Sequence, residues 1–121
     1  MQNQEIQRFH VGARISEMAV YNQTVYLAGQ VTADDSLDIT GQTTSVLEQI
    51  DTLLAQAGSD KSRILMCQIF LTDLANFSAM NQVWEKWVVA GQTPPRATVL
   101  ASLANPKWLI EIVITAAVKA V

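Results

Sequence analysis

The sequence is poor in the residues from which metal centres, disulfides and most covalent catalysis are built. It has one cysteine, Cys67, and one histidine, His10. A single cysteine excludes an intrachain disulfide. One Cys and one His leave a protein-built zinc site short of ligands. Cys67 lies inside the apolar run Ile64–Leu71 and reads as a buried core thiol. A nucleophilic role would need a base beside it, and His10 is far off in sequence. Charge is also sparse: 16% of residues are charged, beside the usual ~25%. The net charge is −3 and the Lys and Arg residues are scattered, which disfavours a nucleic-acid partner. No apolar run reaches the ~18 residues that a membrane span needs. Met1–Phe9 is polar and charged, unlike a secretion signal, so the expected location is the cytoplasm. P-loop, dinucleotide fingerprint and nucleophile-elbow motifs are all missing, and no cofactor is expected.

What remains is a chain of 121 residues, half of them apolar. That length fits one domain, 1–121, with a full core. Many apolar residues and few charges suggest that part of the surface is covered by a partner. Self-association is the simplest form of that cover.

The hydrophobic pattern alternates between two periods. Residues 5–11 read as a strand with an imperfect apolar face. Residues 16–21 and 24–31 read as a hairpin around Asn22-Gln23, where Asn suits the positive φ of a tight turn. Val46, Leu47, Ile50, Leu53, Leu54 and Ala57 form one helical stripe. Thr40 is the expected N-cap and Gly58 the C-terminal stop. Residues 63–72 are nearly continuously apolar, as in a central strand. Asp73 is expected to cap a second helix with the stripe Leu74, Phe77, Met80, Trp84, Trp87 and Val88, and Gly91 to stop it. These Met and Trp residues read as core. Pro94-Pro95 enforces an extended entry into a strand at 96–103, and a last strand follows at 108–118. The order β-β-β-α-β-α-β-β predicts an α+β fold, a mostly antiparallel sheet with two helices on one face.

Two charges sit inside apolar strands, Arg96 and Glu111, and such charges need partners. If the last two strands form a hairpin with 103 opposite 108, then Arg96, Thr98, Leu100, Glu111, Val113 and Thr115 share one face. Ala97, Val99, Ala101, Ile110, Ile112 and Ile114 then line the core face. In that register Arg96 and Glu111 lie ~13 Å apart along the ladder. Meeting at one small ligand would take two subunits. The simpler alternative is that both are solvated on the outer face.

Thr93-Pro94-Pro95-Arg96-Ala97-Thr98-Val99, followed by Ile110-Glu111-Ile112, resembles the C-terminal signature of the RidA/YjgF/YER057c/UK114 family. Leu27-Ala28-Gly29-Gln30 is similar to the family's S-G-Q strand. Phe70-Leu71-Thr72-Asp73-Leu74, with Phe77 and Asn81, is similar to its strand-to-helix junction. The resemblance spans the whole chain. It implies a chorismate-mutase-like fold, a homotrimer with clefts between subunits, and cofactor-free hydrolysis of reactive enamines and imines to 2-keto acids and ammonia. By position it implies that Arg96 grips the substrate carboxylate and that Glu111 places or activates water. It puts the backbone of Thr98 beside the substrate nitrogen and has Gly29 let its strand approach the ligand. Asn81 and residue 15 complete the substrate set. The chain departs from the family at that last position, where Ile15 stands in place of a tyrosine. The departure keeps a second reading open, a non-catalytic module that binds a small keto acid or amino acid in the same cleft. An RNA-directed activity is disfavoured by the acidic balance.

Overall fold

The computed structural model describes residues 5–120. Residues 1–4, the start of the segment read above as no secretion signal, lie outside the described residues, as does residue 121. The elements are β1 (Gln7–Val11), β2 (Ser16–Tyr21), β3 (Thr24–Leu27), α1 (Ile39–Gln56), β4 (Ile64–Leu71), α2 (Phe77–Trp87), β5 (Arg96–Leu100) and β6 (Ile110–Ala117). Short 3-10 turns at Lys61–Arg63 and Leu74–Asn76 precede β4 and α2. This is the expected order.

The strands form one six-stranded sheet in the order β1-β2-β3-β6-β4-β5. Every pairing is antiparallel except β4 with β5. Asn22 and Gln23 both take positive φ, 54° and 67°, as a two-residue hairpin turn between twisted strands demands. Both helices cover one face. Val46, Leu47, Ile50 and Leu54 of α1 join Met80 and Trp84 of α2 over Ile69, Leu71, Ile110, Ile112 and Ile114. The opposite face is open, with Tyr26, Leu65 and Val99 between 46% and 50% exposed.

The caps differ from expectation in three places. Asp38, not Thr40, caps α1, its carboxylate accepting from the Gly41 amide at 2.9 Å. The helix therefore starts earlier, and Thr40 bonds Thr44 along it. Asp73 caps the 3-10 turn through Ala75 N–H rather than α2 itself. Helix α2 ends at Trp87, where Val88 turns extended, before Gly91 (φ +81°) is reached. Gly58 does follow α1 in the left-handed region, at φ +74°.

The larger correction concerns the hairpin expected between the last two strands. β5 and β6 are not neighbours, because β4 lies between them. Residues 101–109 pass across the end of β4, where Ala101 N–H donates to Leu71 O and Thr72 N–H to Leu109 O. The parity of β6 is as expected, with Ile110, Ile112 and Ile114 buried. The parity of β5 is reversed. Arg96 lies opposite Cys67, which lies opposite Ile114, and Thr98 lies opposite Ile69. Opposed residues share a face, so Arg96 and Thr98 stand on the helix-covered side. Glu111 lies opposite Phe70, which lies opposite Val99, so Glu111 stands on the open side.

The strand expected at 24–31 ends at Leu27 and resumes as a single bridge, Gln30 to Ile112. From Tyr26–Thr115 to Gln30–Ile112 the first segment advances four residues while β6 advances three. The extra residue makes a bulge that contains Gly29, the kind of feature that redirects a strand edge toward a site.

Candidate functional site

Arg96 is half-buried on the edge strand β5. Its guanidinium carbon lies 5.2 Å from the ring centre of Trp84 and 5.9 Å from that of Phe77. Both distances are within cation–π range. Lys119 pairs with Asp60 at 3.4 Å, but among the described residues no carboxylate answers Arg96. Its strand neighbour Cys67 is fully buried, and burial pushes that thiol up to about 12, the nearby Arg96 charge opposing only in part. A neutral thiol offers the guanidinium no counter-ion. The buried-core reading of Cys67 holds. His10 is exposed and pairs with Gln56 at 2.7 Å.

Glu111 is held by a different device. A Cβ added to Gly29 would fall 2.1 Å from Glu111 Oε2 and 2.8 Å from its carboxyl carbon. The carboxylate thus rests directly on the backbone of the bulge, in space that only glycine leaves open. A polar net fixes that segment. Gln30 is 4% exposed. Its side-chain amide donates to Glu17 Oε2 at 3.0 Å and to Ala28 O at 3.1 Å. Gln49 of α1 donates to Gln30 Oε1 at 3.3 Å and to Val31 O at 2.9 Å. Glu17, Gly29, Gln30, Val31, Gln49, Thr52 and Leu53 line a cleft of about 380 Å³. On the far side of β6, Gln42 is fully buried. It donates to Leu37 O and Lys107 O and accepts from Leu109 N–H. That ties the entry of β6 to α1, two residues before Glu111.

The structure therefore brings the expected residues together as two half-sites. One holds Arg96 and Thr98, backed by Phe77 and Trp84. Asn81 stands between those rings on the same helical stripe, at i, i+4, i+7 spacing. The Thr98 hydroxyl is buried without a hydrogen-bond partner. The other half-site holds Glu111 and Gly29. Ile15 is 59% exposed beside the start of β2. In one chain Arg96 and Glu111 do not meet. They lie three positions apart along β4 (Cys67 to Phe70), ~10 Å at strand rise, with β4 between them and on opposite faces. The sequence placed Phe77 and Trp84 on one apolar stripe and read its Met and Trp residues as core. That is right for Trp84, 6% exposed, but Phe77 is 42% exposed. Only the fold reveals their place under Arg96.

The profile of the family described as endoribonuclease L-PSP matches residues 5–118. With the Arg96 and Gly29–Glu111 half-sites already placed, that match decides the family. The chain belongs to the RidA/YjgF family. A RutC family protein of Haemophilus ducreyi is 50% identical over 113 residues, covering 93% of this chain and 97% of that protein. The RutC family protein YoaB of Escherichia coli K12 is 47% identical, covering 93% of this chain and 98% of YoaB. Among solved structures, NMB1025 of Neisseria meningitidis, a member of the YjgF protein family, superposes with a TM-score of 0.95. It is 42% identical, with 98% of each chain covered. The RidA/YjgF chorismate-mutase-like fold is thus the fold of this chain. Among the described residues, no helix is long and apolar enough to cross a membrane.

Proposed function

We propose that this chain is a cofactor-independent hydrolytic deaminase of small reactive enamine and imine acids of the 2-aminoacrylate or 2-iminobutyrate type, the enamine reacting as its imine tautomer. It would act in the cytoplasm as a homotrimer. The observation that carries the reading is Arg96: a cation on an edge strand, backed by two aromatic rings and, among the described residues, answered by no carboxylate. A guanidinium in that state is ready for a planar anion, which it can hold by two parallel N–H···O bonds.

The opposite placement of Glu111 supports assembly between copies. Arg96 is reachable at the edge of one chain, and Glu111 lies on the open face of the next. A ring of copies also covers the exposed Tyr26, Leu65 and Val99. In such a cleft Arg96 binds the carboxylate and orients the C=N carbon. Glu111 of the neighbouring copy holds a water and takes its proton as the oxygen attacks that carbon. The tetrahedral adduct then collapses. Glu111 first returns the water's proton to the nitrogen. The adduct hydroxyl then gives up its own proton, which Glu111 passes to the amine as the C–N bond breaks and the C=O bond forms, and a 2-keto acid and ammonia result. Exclusion of bulk water strengthens both contacts.

The deciding experiment generates imino acids in situ with an amino-acid oxidase or a serine/threonine dehydratase. Their decay is followed with the protein and with Arg96→Ala. Faster decay with the parent alone is the expected result. Full activity in Arg96→Ala removes the mechanism.

One observation favours a second reading, a keto-acid binding module without turnover. Ile15 is exposed, and at the position that the resemblance matches to a family tyrosine it would leave the site one polar group short. Calorimetric binding of 2-ketobutyrate with no turnover of any imine selects that reading.

A further inference from the structure

An arginine side chain has ~2 kcal/mol of rotamer entropy to lose when it is ordered, and the common way to order one is an ion pair. Arg96 has none among the described residues, and its strand partner Cys67 is a buried neutral thiol. What it has are the rings of Trp84 and Phe77, 5.2 and 5.9 Å from its guanidinium carbon. The five N–H donors lie in the guanidinium plane. A ring against the guanidinium face spends none of them, whereas a carboxylate partner inside the chain spends two.

We infer that Phe77 and Trp84 are positioning residues that orient Arg96 for an anionic ligand while leaving its donors free. The inference rests on the reading of Arg96 as the carboxylate anchor. The two rings have different supports. Trp84 is fixed by the core and by Trp87, whose ring centre lies 5.5 Å away at a 45° tilt. Trp87 in turn donates its indole N–H to Asp51 of α1 at 3.0 Å. Phe77 begins α2, 42% exposed, a large ring whose contact with Arg96 supplies the packing that the core does not. Spacing of seven residues puts both rings on one stripe of α2 facing β5. The arrangement also makes Trp84 a reporter. A ligand that draws on the guanidinium alters the charge against its indole.

The test uses a chain with Trp87→Phe and Trp108→Phe, so that Trp84 is the sole tryptophan. It is titrated with 2-ketobutyrate by fluorescence and by calorimetry. Binding is expected to shift Trp84 emission and to vanish in Arg96→Ala. Phe77→Leu is expected to weaken binding about tenfold, in line with a partly desolvated cation–π contact, without lowering the unfolding midpoint. Phe77→Tyr, which keeps the ring, is expected to restore it. Arg96-dependent binding that is equally tight in Phe77→Leu, with Trp84 emission unmoved, overturns the positioning role and leaves the anion site standing. No Arg96-dependent binding in the parent overturns the anion-site reading and the positioning role with it.

Discussion

Arg96 and Glu111 are held in contrasting ways. Arg96 stands on an edge strand and is steadied by side chains, the rings of Phe77 and Trp84. Glu111 stands on β6, with strands on both sides, and is steadied by backbone, the bulge at Gly29. The difference matches the work proposed for each. A group that receives a substrate needs access and some latitude. A group that aims one water at one carbon needs a fixed seat. The Glu111 side is therefore expected to tolerate less change than the Arg96 side.

The sharpest test of that contrast is Glu111→Gln. Loss of the base should lower imine turnover by roughly 10²–10⁴-fold, while calorimetry still finds 2-ketobutyrate bound. Arg96→Ala should lower turnover by roughly 10²–10³-fold, as for loss of a charge-stabilising donor, and should abolish keto-acid binding. If both variants lost binding equally, the division of labour would fail. Next is Gly29→Ala. Its methyl group would fall 2.1 Å from Glu111 Oε2, so the carboxylate must move. Turnover should fall by up to roughly 10²-fold, the scale of an ångström's misplacement, with the unfolding midpoint nearly that of the parent. Unchanged turnover would show that the seat on Gly29 is not needed.

Smaller effects concern stability. Gln42→Leu removes two donated bonds and one accepted bond around the entry of β6. Leaving those groups buried and unpaired should cost ~1–3 kcal/mol, read by chemical denaturation. The Cys67 thiol gives a pH signature on the Arg96 side. Its ionisation is pushed up to about 12 in the native chain, so the unfolded chain releases that proton first. Stability should be flat up to about pH 8.5 and then fall as pH rises. Cys67→Ala should flatten that alkaline fall. An unaltered slope would assign it to other groups.

Much of the fold was legible because hydrophobic period and turn chemistry agreed along the chain. The stripe of α1, the parity of β6 and the Asn22-Gln23 turn are local properties, and all appear as read. The partner of β5 is not local. Consecutive strands neighbour one another in about two-thirds of cases, and that prior favoured a hairpin. The segment 101–109 instead crosses the end of β4 by two backbone bonds, Ala101 to Leu71 and Leu109 to Thr72, which no residue type advertises. One changed neighbour reversed the face of every side chain on β5, Arg96 included. The separation of Arg96 from Glu111 was read in the right sense, though its cause is opposite faces rather than distance along one face. The resemblance had Gly29 let its strand approach a ligand; what the structure shows at Gly29 is room for the Glu111 carboxylate. The backing of Arg96 by Phe77 and Trp84 was hidden because an aromatic stripe at helical spacing serves a core and a cation equally well.

The position of β6 has a consequence for how the molecule is made. It is the last strand in chain order, yet it lies in the interior of the sheet, bonded to β3 on one side and β4 on the other. Until it arrives, the β1–β3 meander and the β4–β5 pair have no ladder between them. Each exposes an unpaired inner edge, the kind that invites pairing with foreign strands. Ile110, Ile112, Ile114 and Ala116, all buried in the finished core, come with it. On the ribosome the sheet therefore closes only after Ala117 has emerged. Between the completion of β5 at Leu100 and the arrival of β6 the nascent chain holds two unjoined halves, a state in which chaperone binding and mispairing compete with folding.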